Sequence, residues 1–286
     1  GWWNTLGIRP PEWTRPGLNA AAWPLHVKDV WLIDTAALGA LSSNDPSASA
    51  FWHRAAPWLS DLARYDAVPR LRSRDDILPA RMAPDDIRTM VRHGLARKID
   101  SDEVPLASVD LFPHAEESKR RRRRIGHTRA INAALGKDTL QRVSLPSRRA
   151  QLVQSLAGNW SISLDFSAFF DAFQLSKEVQ MLHCFRSEGE IFCLTRLPMG
   201  QRQSVEVAQG ATSLLLAFPT PGCVTQSYID NVRFVGTRKA VVAAACTFVK
   251  RCNSANLRIN DIDQRSSDLA TILNGLAKQE DAWLGL

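Results

Sequence analysis

Two aspartates stand where a chain can present a carboxylate without spoiling a core. Asp165 lies near the end of the run SISLDFSAFF (residues 161–170), which reads as a strand, alternating and then apolar. Asp230 lies within TQSYIDNVRFVG (residues 225–236), which reads as strand, turn and strand with Asp230-Asn231 at the turn. Brought side by side on one sheet, the two side chains make a hard-oxygen site for Mg²⁺. Two such ions about 4 Å apart can activate an attacking hydroxyl and stabilise a leaving pyrophosphate. The competing reading is structural: Asp is a common turn former, and Asn231 beside it suits a tight hairpin because Asn tolerates positive φ.

The elements needed to position such a pair are legible along the chain. MAPDDIRTMVRHGLARK (82–98) reads as a helix, with Pro84 early, Asp85 and Asp86 at the N-terminal dipole and Gly94 as a stop. VPLASVDLF (104–112) reads as a strand, AEESKRRRRR (115–124) as a loop or hairpin tip, and RIGHTRAIN (124–132) as the returning strand. RRAQLVQSLAG (148–158) reads as a helix with Leu152, Leu156 and Ala157 on one face. FDAFQLSKEV (170–179) reads as a turn or short helix, and IFCLTRLPMG (191–200) as a strand ending in a Pro-Gly turn. SVEVAQGATSLLLAF (204–218) and KAVVAAACTFVKRCNSAN (239–256) read as helices, and LRINDID (257–263) as a final short strand. The order from Ile162 onward predicts an α+β fold, an antiparallel sheet backed by helices.

Charge is concentrated. The chain carries a formal +7, yet Lys119–Arg149 holds eleven basic residues against one acid, Asp138. Such a field attracts polyanions, nucleic acid foremost; a solvated basic loop or a localisation signal is the bland alternative. Composition is that of a globular protein, 45% apolar and 23% charged. No apolar run reaches the length of a membrane span. Five cysteines without a CxxC pair argue against a zinc ribbon or disulfide scaffold and predict reduced thiols in an intracellular protein. The first residues, Gly1-Trp2-Trp3, predict a chain cut from a longer product. Seven of nine Trp lie in residues 1–58. They read as core aromatics of an irregular extension with short helices near Ser47–Arg64, rather than as a base-stacking platform, because no basic residues interleave them.

Taken in order, these stretches resemble the reverse transcriptases of retroelements, gypsy-like or related, over roughly Met82 to Asp263. RRRRRIGHTRAIN looks like the fingers motif ending Arg-x-x-Asn, through Arg129 and Asn132. LPSRRAQLVQSLAGNWSISLDFSAFFDAF is similar to the Leu-Pro, helix and Leu-Asp-x-x-x-x-aromatic run. LPMGQRQSVEVAQ matches Pro-Phe-Gly followed by Gln, through Pro198, Gly200 and Gln209. YIDN is similar to the Tyr-x-Asp-Asp box, and LRIN resembles the strand after the next helix, with Asn260 in place.

The resemblance implies a right-hand polymerase: a Trp/Pro-rich extension over 1–80, fingers over 81–160 and palm over 161–286. It implies template-directed DNA synthesis from dNTPs on an RNA template with a DNA primer, and two Mg²⁺ (or Mn²⁺) ions held by Asp165 and Asp230. Arg123 and Arg129 would serve the incoming nucleotide, Arg123 being the best phosphate candidate within its run. Phe166 and Phe170 would line the nucleotide site, Phe170 barring a ribose 2′-hydroxyl. Gly200 would let backbone approach the nascent base pair, and Gln209 would support the template side. Lys119, Arg120, Arg121, Arg122 and Arg124, with Pro198, Met199 and Tyr228, would contact nucleic acid.

The chain departs from the family pattern at telling places. The second acid of the box is Asn231, an amide that lacks a carboxylate's charge. Losing one preorganised electrostatic group commonly costs about a hundredfold or more, so impaired catalysis is expected. His127 stands where many relatives carry an acid, and Gln201 and Val205 replace the usual Leu and Pro. Little chain follows LRIN, so the thumb is largely missing. The alternative is a catalytically inactive, retroelement-derived module that binds nucleic acid or a protein partner.

Overall fold

A computed structural model describes residues 22–29, 31–135 and 160–279. Among the described residues, eight strands make three small antiparallel sheets. β1 (Ala96–Lys98), β6 (Glu190–Leu194) and β5 (Cys184–Ser187) form one, in the order β1-β6-β5. β2 (Asp110–Glu116) and β3 (Arg121–His127) form a hairpin, and β4 (Trp160–Asp165), β8 (Asn231–Gly236) and β7 (Cys223–Tyr228) form the third sheet, order β4-β8-β7. The antiparallel sheet with helices behind it agrees with the sequence.

The third sheet is held from behind by the helix Arg238–Ser254. Phe248 of that helix packs edge-on against Phe234 of β8 and tilted against Phe166, just past β4. The same core takes in Leu38, Trp52, Trp58, Leu59, Tyr65 and Val68 from the Trp-rich part of the chain. Trp52 and Trp58 are core aromatics, as the lack of basic neighbours implied. Trp58 donates from Nε1 to Glu206 Oε2 (3.2 Å) on the helix Arg202–Leu215. That helix packs closely on the helix Pro46–Ala55: a Cβ at Gly210 would lie 3.3 Å from Ala55 Cβ, so a small residue belongs at the crossing.

Several boundaries differ from the sequence reading. The helix read over 82–98 spans only Pro84–Arg92; Gly94, at φ +64, turns the chain into β1. The strand read into 104–112 starts only at Asp110, because the preceding amides are bonded elsewhere: Leu106 N and Ala107 N donate to Met181 O, and Val109 N to Cys184 O. LRINDID is not a strand; it makes a single bridge, Ile259 to Phe166. The hairpin turn is Ile229-Asp230, one residue earlier than read, and Asn231 already belongs to β8. β5 and the helix Leu269–Leu276 carry no pattern that the sequence reading picked up. The helix expected over 148–158 lies outside the described residues. No described helix is long and apolar enough to cross a membrane.

The largest difference concerns the arginine run. It is β3 itself, not the tip; the tip is Glu117–Arg120, with Arg120 in the left-handed region. Strand pairing with β2 is possible because most of these cations meet an acid. Arg121 and Arg123 share Glu116, the latter at 2.9 Å, and Arg124 pairs with Asp171. Arg122 makes a two-pronged contact with Asp86 (2.6 and 2.8 Å) in which both side chains are largely buried. Removing one partner of such a pair strands a charge away from water, at a cost of about 3–5 kcal/mol. Asp86→Ala should therefore lower unfolding free energy by about that amount in urea melts. The double replacement Asp86→Leu with Arg122→Met should cost much less, because no charge is left behind.

Candidate active site

Antiparallel pairing of β4 with β8 sets Asp165 directly opposite Asn231, the residue after Asp230. Phe166 N donates to Asp230 O (3.0 Å), so the two aspartates end neighbouring strands. Both line one cavity of about 310 Å³. Around it stand Lys119, Arg121, Arg123 and Arg124 from the hairpin side, and Phe166, Phe169, Phe170, Asp171, Met199, Asn260 and Asp261 from the sheet side. His26 and Lys28 also line it.

The turn carrying Asp230 is built with strain. Ile229 has φ +56, a region where a β-branched side chain clashes with its own backbone. The φ pattern is that of a type II′ hairpin, whose first central position usually holds Gly. Both backbone groups of Ile229 are fixed from the helix Arg202–Leu215. Its N–H donates to Gln209 Oε1 (3.0 Å), and its carbonyl accepts from Thr212 Oγ1 (2.8 Å). Gln209 further donates from Nε2 to Ser227 Oγ (3.1 Å). Gln209 is thus buried and braces the turn.

A second brace joins the hairpin to the Pro-Met-Gly turn. Asn132 donates from Nδ2 to Gly200 O (2.7 Å) and accepts from Arg202 N (3.0 Å). Gly200 sits at φ +107, and a Cβ there would come within 3.0 Å of Gly126 O on β3. The close backbone approach that requires this glycine is to the hairpin.

The electrostatics of the pair are unfavourable by design of the fold. Burial raises the Asp230 carboxyl above the ordinary carboxylate range, and the Asp165 charge raises it further. Burial likewise raises Asp165, with Asp261 adding to the effect, while a hydrogen bond from Asn260 and the charge of Lys28 oppose it. Asn260 donates from Nδ2 to Asp165 Oδ2 (2.6 Å). Asn231 donates from Nδ2 to Asp230 Oδ1 (3.1 Å). Two partly dry carboxylates, of which Asp165 raises the proton affinity of Asp230, make a donor set that could hold one divalent cation. For two cations the set is short, because the amide of Asn231 turns its N–H₂ toward Asp230. Among the described residues no group of three or more His, Cys, Asp or Glu is arranged to hold a metal.

The other candidate residues divide. Lys119, Arg121, Arg123, Arg124, Phe166, Phe170 and Met199 line the cavity with the aspartates. Arg120, Arg122, Arg129, Pro198, Gly200, Gln209, Tyr228 and Asn231 do not line it. Arg129 points outward, with its side chain 75% exposed and 3.9 Å from Asp110. Tyr228 faces Asn231 across the hairpin. Phe166 is buried and stacked on Phe169 with ring centroids 4.2 Å apart, so it serves packing as well as the cavity wall. The sequence reading missed His26, Lys28, Asp171 and Asp261; only the three-dimensional path of the chain brings them here.

No family model matches the chain, and neither does any curated protein. Solved structures do. The foamy viral protease-reverse transcriptase dRH in complex with double-stranded DNA matches with a TM-score of 0.51 and 18% identity, over 88% of this chain and 46% of that one. Another foamy viral protease-reverse transcriptase structure with double-stranded DNA gives 0.50 and 18%, over 82% and 52%. A selenomethionine-labelled CSH mutant of the prototype foamy virus protein gives 0.51 and 15%, over 82% and 33%. The chain therefore spans about a third to a half of these relatives in structure. At such identities the likeness is one of fold, and the fold is reverse-transcriptase-like.

Two outcomes follow from this geometry. A carboxyl whose proton affinity is raised by folding destabilises the fold as pH rises past its folded-state pKa, and is neutral in its effect below the ordinary carboxylate value of about 4. In metal-free buffer, Asp230→Asn should therefore melt at a higher temperature than the parent at pH 7, and the gain should vanish near pH 3.5. An equal gain at both pH values would contradict the repulsion. Gln209→Ala leaves the Ile229 N–H unpaired and should cost about 1–3 kcal/mol, measured by denaturant unfolding, with part of the loss recovered by Ile229→Gly.

Proposed function

We propose that the chain is the core of a reverse transcriptase-like polymerase, in which the β4-β8-β7 sheet is the palm and the β2–β3 hairpin belongs to the fingers. The observation that carries this reading is the meeting of Asp165 and Asp230 on one cavity wall, opposite Lys119, Arg121, Arg123 and Arg124. The reaction is template-directed DNA synthesis on RNA or DNA. The primer 3′-hydroxyl releases its proton to solvent, its oxygen bonds to the α-phosphorus of a dNTP, the bond from that phosphorus to the bridging oxygen breaks, and pyrophosphate leaves. Catalysis of this kind is mostly positioning and charge stabilisation.

Asp165 and Asp230 would hold Mg²⁺ or Mn²⁺, which when bound supplies Lewis-acid charge to the reacting phosphoryl oxygens. Arg123, with 39% of its side chain exposed and only a shared acid, is the arginine best placed to contact phosphate. Phe170 lines the cavity beside the aspartates, where bulk would exclude a 2′-hydroxyl. Arg122 belongs to the scaffold through Asp86 rather than to the nucleic acid. The likeness to structures bound to double-stranded DNA supports a nucleic-acid duplex as partner.

One observation favours a second reading, a binding module without catalysis: the N–H₂ of Asn231, not a carboxylate, faces Asp230. Primer extension on a homopolymer RNA template with Mg²⁺ or Mn²⁺ separates the two. On the polymerase reading, Asp165→Ala lowers extension by about a hundredfold or more, and Asn231→Asp raises it. Extension by Asp165→Ala at the parent's rate would remove the site. On either reading, duplex affinity falls with salt, and Lys119→Ala or Arg123→Ala each lowers the salt slope by about one.

A further inference from the structure

The cavity has a wall that none of the motifs foretells. Residues 22–29 run beside the free edge of β3 as a short parallel strap. His26 N donates to Arg122 O (2.6 Å), and Arg122 N donates to Pro24 O (2.9 Å). The Arg122 side chain adds a bond from Nε to Trp23 O (2.7 Å). A few residues on, the chain is fastened to the sheet side instead: Ile33 N donates to Ala172 O (2.9 Å), and Asp34 N to Ala255 O (2.9 Å). The strap thus crosses from the hairpin to the sheet beside the cavity, and it carries Lys28 into the lining.

Lys28 is chemically distinct from the arginines around it. Arg121 and Arg123 share Glu116, and Arg124 has Asp171. Among the described residues Lys28 makes no ion pair; its ammonium donates to the neutral Asn260 Oδ1 (2.6 Å). Lys119 at the hairpin tip likewise lines the cavity without an ion pair among the described residues. An ammonium held on an amide keeps its charge available and can exchange that neutral acceptor for an anionic oxygen at little cost. Hydrogen bonds to an ionised acceptor are about twice as strong as neutral ones.

We propose that Lys28, delivered by the 22–29 strap, is a polyphosphate-binding residue of this cavity and forms with Lys119 the unpaired cationic subsite for the β- and γ-phosphates of a nucleoside triphosphate. The identity of the ligand as a nucleotide rests on the polymerase reading; binding of the phosphate chain does not. Arg121 and Arg123 frame the subsite with their remaining N–H groups, and His26, whose Nε2 accepts from Arg121 Nη1 (3.0 Å), holds one of those guanidinium groups in place.

Calorimetric titration with inorganic tripolyphosphate in EDTA tests this without metal or catalysis. The full chain should bind, Lys28→Met should weaken binding by about tenfold or more, and Lys28→Arg should restore most of it. Lys239→Met, an exposed site on the helix Arg238–Ser254 away from the cavity, should leave binding unchanged. Absence of binding by the parent, or equal affinity in Lys28→Met with an unchanged melting temperature, overturns the assignment. Lys28-dependent tripolyphosphate binding in a chain that extends no primer sustains the subsite while removing the polymerase reading.

Discussion

Two carboxylates are kept close together, partly out of water, by the pairing of β4 with β8. Left to themselves they would repel and would each favour the protonated form. Much of the surrounding construction can be understood as compensation for that one arrangement. Asn260 donates to Asp165, Asn231 donates to Asp230, and Lys28 approaches through Asn260. The strained Ile229 peptide is fixed on both sides by a helix so that Asp230 cannot swing away. A site that is costly when empty is one whose ligands are bound with correspondingly greater gain, since anything that neutralises the pair also removes the penalty.

The basic tract shows why formal charge is a poor map of where anions go. Read as a string, Lys119–Arg124 is a uniform cationic run. Folded, it is a strand whose members have different duties: Arg122 is tied to Asp86 and the strap, Arg124 to Asp171, and Arg121 and Arg123 share Glu116. Among the described residues, the cavity-lining Lys and Arg without an ion pair are lysines, one at the hairpin tip and one from far upstream.

What the sequence disclosed and what it withheld have separate physical origins. Asp165 and Asp230 were legible because alternating apolar residues mark a strand and its end, and the antiparallel sheet followed from the order of such stretches. The arginine run was misplaced because propensity puts consecutive charges in loops, whereas distant acids (Asp86, Asp171) made a strand affordable. The hairpin turn was misplaced by one residue because Asn is the usual occupant of positive φ and Ile is not; tertiary bonds from Gln209 and Thr212 override that local preference. Lys28 and His26 have no local signature at all, since their role depends on a parallel edge contact with residues nearly a hundred positions later.

That edge contact has a bearing on how the molecule is made. Lys28 and Asn260 are 232 residues apart, yet both form the mouth of a single cavity. At a synthesis rate of about 5–20 residues per second, the ribosome releases the second on the order of ten seconds or more after the first. The strap can dock on β3 early in translation, but the cleft acquires its far rim only once Asn260 has emerged. Until then the nascent chain carries the strap without the cavity that the strap helps to wall.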